Sequence, residues 1–255
     1  MTEYLYGRWS VLESLHAGRR EFQQLLLAEG IDEKGIIENI LEAARQHNVN
    51  VRRVPRRVID DLSSNANHQG VALRVGAYPY VELDTVLENA AARNEPPFLL
   101  VLDLLKDPQN VGALLRVADA VGVHGIVLQE RRGVDVTASV VNASSGAVEH
   151  LSVSVVANLV TAMRRLKEEG IWLVGLDIGP DTVTLDKADL NRPIALVMGS
   201  EGDGLRRLVR ETCDMWITLP MRGHVGSLNV AAAGSIALYA AWQARGWQGW
   251  TRPTI

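Results

Sequence analysis

At 255 residues the chain has room for one large domain or two smaller ones with a substantial core. It holds no uninterrupted apolar run of about 18 residues, so a membrane-spanning helix is not expected. The formal charge of −4 disfavours a wholly basic nucleic-acid-binding surface. Clusters at Arg52-Arg53-Val54-Pro55-Arg56-Arg57, at Arg131-Arg132, and at Arg206-Arg207 with Arg210 still allow local phosphate contacts, although each read singly also fits a solvated face. Cys213 is the only cysteine, which excludes an intrachain disulfide and a cysteine-rich zinc site, and the histidines show no metal-ligand spacing. No metal is therefore expected. The opening Met1-Thr2-Glu3-Tyr4-Leu5-Tyr6-Gly7-Arg8 has neither a basic start nor a following apolar stretch, so the expected location is cytoplasmic.

In chain order, Val11, Leu12 and Leu15 predict a first helix, and Phe22 to Leu27 a strand. Ile36, Ile37, Ile40, Leu41 and Ala44 repeat at helical spacing. Val49 to Val54 reads as a strand, Arg57 to Leu62 as a short helix and Gly70 to Val75 as a closing strand, which makes residues 1–75 a compact α/β unit. Residues 76–97 carry Pro79 and the Asn94-Glu95-Pro96-Pro97 break and read as a linker, with a helical stretch over Leu83 to Ala92. A larger domain over 98–255 follows. Its predicted strands are Phe98 to Leu102, Gly125 to Leu128, Ile171 to Leu176, Ile194 to Met198 and Met215 to Leu219. Its predicted helices are Val111 to Val121, Leu159 to Glu169 and Asn229 to Arg245. Alternating strands and helices imply a mostly parallel sheet covered on both faces.

Three segments of this larger domain stand out. Leu219-Pro220-Met221-Arg222-Gly223-His224-Val225-Gly226-Ser227-Leu228-Asn229-Val230 runs from a strand through a Pro/Gly turn into an Ala-rich helix, which Ser227 or Asn229 can cap. Such a turn exposes main-chain groups and the free N–H groups of a helix start to a ligand, and it also suits an ordinary capped loop. Leu102-Asp103-Leu104-Leu105-Lys106-Asp107-Pro108-Gln109-Asn110 leads into a helix carrying Arg116. Leu196-Val197-Met198-Gly199-Ser200-Glu201-Gly202-Asp203-Gly204-Leu205 ends a strand in a glycine-rich turn. No Gly-x-Gly-x-x-Gly follows the first strand of the domain, which argues against the common dinucleotide-binding mode.

Taken in order, these blocks resemble motifs one, two and three of the SpoU family of RNA ribose 2'-O-methyltransferases, within the SPOUT superfamily, over about Pro97 to Ala244. Val141-Asn142-Ala143-Ser144-Ser145-Gly146-Ala147-Val148-Glu149-His150 is similar to the family's Ser-x-Gly-Ala-x-Glu stretch, with Asn142 where a basic residue is frequent. Ala231 stands where serine is common. Tyr6-Gly7, the Gln24–Leu27 strand and His68-Gln69-Gly70-Val71-Ala72 resemble the substrate-binding domain that precedes the catalytic domain in many members, a ribosomal-protein-like RNA-binding unit.

The resemblance implies a SPOUT-type trefoil-knotted sheet and S-adenosylmethionine as cofactor. It implies a cofactor site from Met198, Gly199, Ser200, Glu201, Leu219, Met221, Ser227, Leu228 and Asn229, with Leu219, Met221 and Leu228 forming an apolar slot; read alone, those three fit a core equally well. It makes Arg116 the catalytic arginine, supported by Asn110, Glu201 and Asn229. A guanidinium is a poor base, so Arg116 is expected to grip phosphate and stabilise charge on the 2'-oxygen. Without the motif, it reads as a salt-bridge partner of Asp119 or Asp103. The expected substrate is a guanosine of large-subunit rRNA and the expected assembly a homodimer. A tRNA 2'-O-methyltransferase, or a noncatalytic RNA-binding ribosome-assembly factor, is the alternative.

Overall fold

A computed structural model describes residues 2–130, 133, 135–200, 202 and 204–251. The elements run β1 (Glu3–Tyr6), α1 (Arg8–Ala17), β2 (Phe22–Ala28), α2 (Ile36–Gln46), β3 (Asn50–Val54), α3 (Arg56–Leu62) and β4 (Val71–Val75). Next come α4 (Leu83–Ala92), β5 (Phe98–Leu102), α5 (Pro108–Ala120), β6 (Gly125–Gln129), α6 (Ala138–Ala143) and β7 (Val153–Val156). The remainder is α7 (Leu159–Glu168), β8 (Trp172–Leu176), β9 (Val183–Thr184), β10 (Ile194–Met198), α8 (Arg207–Thr212), β11 (Met215–Thr218) and α9 (Val230–Ala244).

These elements pack as two units. The first takes the chain through Pro79 together with Val111–Arg116 and Asp135–His150. Its four strands lie in the order β1-β4-β2-β3, with β4 antiparallel to both neighbours and β2 parallel to β3. Alternation places Leu26 and Ala28 of β2 in a small core with Val54, Ile59 and Ala72. On α2, Ile37, Ile40, Ala43 and Ala44 recur at helical spacing, and all are buried. Strand β1 is absent from the sequence expectation. Its four residues are too few to establish a period, and pairing with β4 is what makes them a strand.

The second unit holds the rest of the described chain around a seven-stranded sheet, order β7-β6-β5-β10-β8-β11-β9, in which every pairing is parallel. Central strands β5 and β10 are buried along their whole length, as unbroken apolar runs covered on both faces must be. One face packs Leu99, Val101, Ala195 and Val197 against Leu159, Met163 and Leu166 of α7 and against Val209 of α8. Helix α9 lies against β10, with Ala237, Leu238 and Ala241 wholly buried.

The helical stretch expected over Leu83 to Ala92 is α4, whose Leu83, Val86 and Ala90 are buried on β6 and β7. From the span expected as one domain over 98–255, residues 111–116 and 135–150 pack in the first unit, where the buried Arg20–Glu149 pair ties the second of these segments to the N-terminal elements.

Candidate active site

Three neighbouring parallel strands, β10, β8 and β11, end together, and a cavity of about 630 Å³ opens beyond their carboxyl ends. Ligands of open α/β sheets bind at such ends, and the volume falls in the range of roughly 300–1,000 Å³ typical of small-molecule sites. Met198, Gly199, Ser200, Leu219, Met221, Ser227, Leu228 and Asn229 all line it. The remaining expected contact, Glu201, lies outside the described residues, as do Arg131 and Arg132. Met221 and Leu228 are exposed, so they are not core residues, and a ligand can cover them. Leu176, Asp177 and Ile178 at the end of β8 complete the wall and were not expected. The sequence signal for them is weak: a strand that stops in Asp177-Ile178-Gly179-Pro180.

The chain after β10 turns back sharply. Ser200 and Gly204 exchange both main-chain hydrogen bonds, at 3.1 and 3.0 Å, which brings Gly204 over Gly199. A Cβ on Gly199 would sit 2.2 Å from the Gly204 carbonyl carbon, so only glycine fits. The base of this turn is tied to motif one. Asp103 is wholly buried and accepts from the Arg206 backbone N–H at 2.9 Å and from its Nε at 2.7 Å. The next residue, Leu104, has φ of 58°, a left-handed conformation that is strained for a branched side chain and typical of functional segments.

At the start of α9 the structure selects Asn229, not Ser227, as the cap. Its Oδ1 accepts from the N–H groups of Ala231 and Ala232 at 2.9 and 3.2 Å. Its Nδ2 donates to Asn110 Oδ1 at 2.9 Å, and Asn110 Nδ2 donates to Asp107 Oδ2 at 2.7 Å. Asp107 in turn caps α5 by accepting from Gln109 N–H at 3.1 Å, with Pro108 in the first turn. Residues expected to act together from motifs one and three are thus joined by hydrogen bonds.

Arg116 lies on α5 in the first unit, exposed, with Nη1 donating to Ser145 Oγ at 3.0 Å. Asp103, one of the two partners considered for Arg116 from the sequence, is engaged by Arg206 instead. Cys213 is buried, and burial pushes its thiol up to about 12, so it stays protonated and unreactive at neutral pH. Among the described residues no group of three His, Cys, Asp or Glu is placed to hold a metal ion, and no helix is long and apolar enough to cross a membrane.

Comparison with known proteins follows the same lines. Residues 97–239 match the SpoU rRNA Methylase family, and residues 4–81 match the RNA 2'-O ribose methyltransferase substrate-binding family. YacO of Bacillus subtilis (strain 168), assigned to the TrmH family of tRNA/rRNA methyltransferases, is 42% identical over 243 residues, covering 95% of this chain and 96% of its own. The SpoU methyltransferase AviRb of Streptomyces viridochromogenes, solved with AdoMet, shares the fold with a TM-score of 0.79 at 24% identity, over 96% of this chain and 91% of its own. A crystal structure of an RNA 2'-O ribose methyltransferase superposes with a TM-score of 0.76 at 25% identity, over 96% and 89% of the two chains.

Proposed function

The chain belongs to the SpoU family of S-adenosylmethionine-dependent RNA ribose 2'-O-methyltransferases, and from that premise we propose that its target is a guanosine of large-subunit rRNA. A separate N-terminal unit of the substrate-binding family favours a large folded RNA. The Arg52–Arg57 cluster, on β3 and α3, supplies the phosphate contacts such binding needs.

The cavity fits the cofactor. Gly199 lets the main chain approach closely, Leu219, Met221 and Leu228 offer an apolar slot, and main-chain groups around it can read an adenine edge. S-adenosylmethionine, when bound, supplies an electrophilic methyl group on a sulfonium. The chain's own contribution is to hold that group and the ribose hydroxyl in line, and positioning alone can remove much of such a barrier. Asn229 fixes the start of α9 at the cavity wall, with Asn110 bracing it. Glu201, outside the described residues, is assigned by the family resemblance to organising the same site. Arg116 presents guanidinium N–H groups to the RNA phosphate and to charge developing on the 2'-oxygen; it is always protonated and so acts as an electrostatic stabiliser, not as a base.

The gathering of the motif-two and motif-three residues around one cavity supports the methyl-transfer part of this reading, and the substrate-binding family match of residues 4–81 supports its RNA part. Nucleoside mass spectrometry of rRNA and tRNA from cells with and without the gene tests it. Loss of one 2'-O-methylguanosine from large-subunit rRNA is expected, and loss from tRNA alone would favour the tRNA alternative. Calorimetry in chelator should still show cofactor binding, because the site is assigned no metal. We also infer a trefoil-knotted chain path, a cytoplasmic location and a homodimer. Helix α9 leaves Ile236 and Tyr239 exposed, which supports a dimer through that helix. Light scattering at micromolar concentration is expected to give twice the chain mass, and a fully active monomer would refute the dimer.

A further inference from the structure

An exposed arginine samples many rotamers, yet stabilising a transition state requires its guanidinium to be fixed beforehand. Arg116 donates to Ser145, and Ser145 sits in an unusual turn. Its φ is 54° and that of Gly146 is 86°, two consecutive left-handed residues. That conformation costs a serine energy, which packing around the turn can offset.

The surroundings do so on both sides. A Cβ on Gly146 would lie 2.5 Å from Glu13 Cβ and 3.2 Å from Ser10 Cα, so α1 rests directly on the turn. A Cβ on Gly112 would lie 2.4 Å from Ala143 Cβ and 2.8 Å from the Ser144 nitrogen, so α5 closes the opposite side. The segment's far end is anchored by charge. Arg20 and Glu149 side chains are both fully buried and meet as a fork, Nε to Oε2 at 2.9 Å and Nη2 to Oε1 at 2.7 Å. Arg20 also donates to Glu3 Oε1 at 2.6 Å, Arg19 donates to the Glu149 carbonyl at 3.1 Å, and the Tyr78 ring lies 5.0 Å from the Arg20 guanidinium. Removing either partner would strand a buried charge.

Resting on the assignment of Arg116 to the reaction, we propose that Ser145 is a positioning residue that aims the Arg116 guanidinium, and that the buried Arg20–Glu149 pair positions Ser145 by fixing the segment that carries it. The N-terminal elements then do more than bind RNA: through α1 and Arg20 they hold the reacting arginine in place.

The test compares full-length variants by kcat, RNA KM, cofactor affinity and melting temperature. Ser145→Ala is expected to lower kcat roughly 10- to 100-fold, the cost of a small misplacement, with cofactor affinity unchanged. Ser145→Asn keeps an acceptor on a residue tolerant of positive φ and should recover part of that loss. Arg20→Lys keeps the charge but not the fork and should show the same selective fall in kcat. Should Arg20→Lys not fold, the two Ser145 variants decide. Arg116→Ala combined with Ser145→Ala should be no slower than Arg116→Ala alone. Wild-type kcat in Ser145→Ala beside an inactive Arg116→Ala would overturn the positioning role, as would Ser145→Asn as slow as Ser145→Ala. An active Arg116→Ala would instead overturn the assignment of Arg116.

Discussion

The cavity at the strand ends and the segment that holds Arg116 achieve order in different ways. Around the cavity the work is done by main chain: a doubled-back turn over Gly199, a capped helix start, and apolar side chains left open to solvent. Around Arg116 it is done by side chains, above all a carboxylate and a guanidinium removed from water. Burial alone would lower the Arg20 pKa, but the hydrogen bonds and charges of Glu149 and Glu3 carry it above the ordinary value. A main-chain site tolerates many side-chain changes and fails where the backbone is pushed out of place. A buried ion pair tolerates few changes, because each partner neutralises the other.

The contrast sharpens into measurements. Arg116→Ala should have the largest effect, a fall in kcat of roughly 10²–10³-fold or more with cofactor affinity intact, and Arg116→Lys should fail similarly because lysine lacks the planar fork. Single-turnover transfer near the wild-type rate in both variants would reduce Arg116 to a surface residue. Gly199→Ala should come next. The new methyl meets the Gly204 backbone, costing about 1–3 kcal/mol of stability as overpacking and removing cofactor binding together with it. Calorimetry showing unchanged affinity would break the claim that main chain builds the site.

Leu228→Ala should be gentler. Leu228 is exposed, so melting temperature should hold, while cofactor affinity drops about tenfold, ~1.5 kcal/mol, because the shorter side chain covers less of the ligand's apolar surface. Equal affinity would place the adenine elsewhere. The smallest effect concerns pH. Burial holds His124 below its ordinary value of 6.5, against the pull of Glu95, and its Nδ1 accepts the Phe98 N–H at 3.0 Å. The unfolded chain therefore binds more protons than the native one just below that value, so stability is full above about 6.5 and declines on acidification. Melting curves should show a shallower acid decline for His124→Gln than for wild type, and parallel curves would discount His124 as the cause.

Much of this was legible in the sequence because it repeats at fixed periods or sits in a contiguous motif. Strand β10 spans Ile194 to Met198 as its unbroken apolar run predicts, and Gly199, Leu219 and Asn229, singled out in contiguous motifs, line one cavity. Strand β9 is only Val183–Thr184 and α8 only Arg207–Thr212, too short for any period to show, and both exist through what they pack against. Arg20 and Glu149 are distant in sequence and lie in no shared pattern, so their pairing became visible only in three dimensions. Asp177 escaped for a similar reason: it reaches the cavity because β8 ends beside β10, which strand order decides.

The amide of Asn229 has two unlike faces. Its oxygen closes the start of α9, while its nitrogen holds Asn110. Ageing of that amide to a carboxylate would keep the first face and invert the second, setting one acceptor against another across 2.9 Å. Aspartate caps a helix as well as asparagine does, so the helix would survive while the tie between motifs one and three was cut. Such a molecule would look sound by circular dichroism and still lose methyl transfer, and Asn229→Asp reproduces it directly. An Asn229→Asp enzyme with full activity would show that the tie is dispensable.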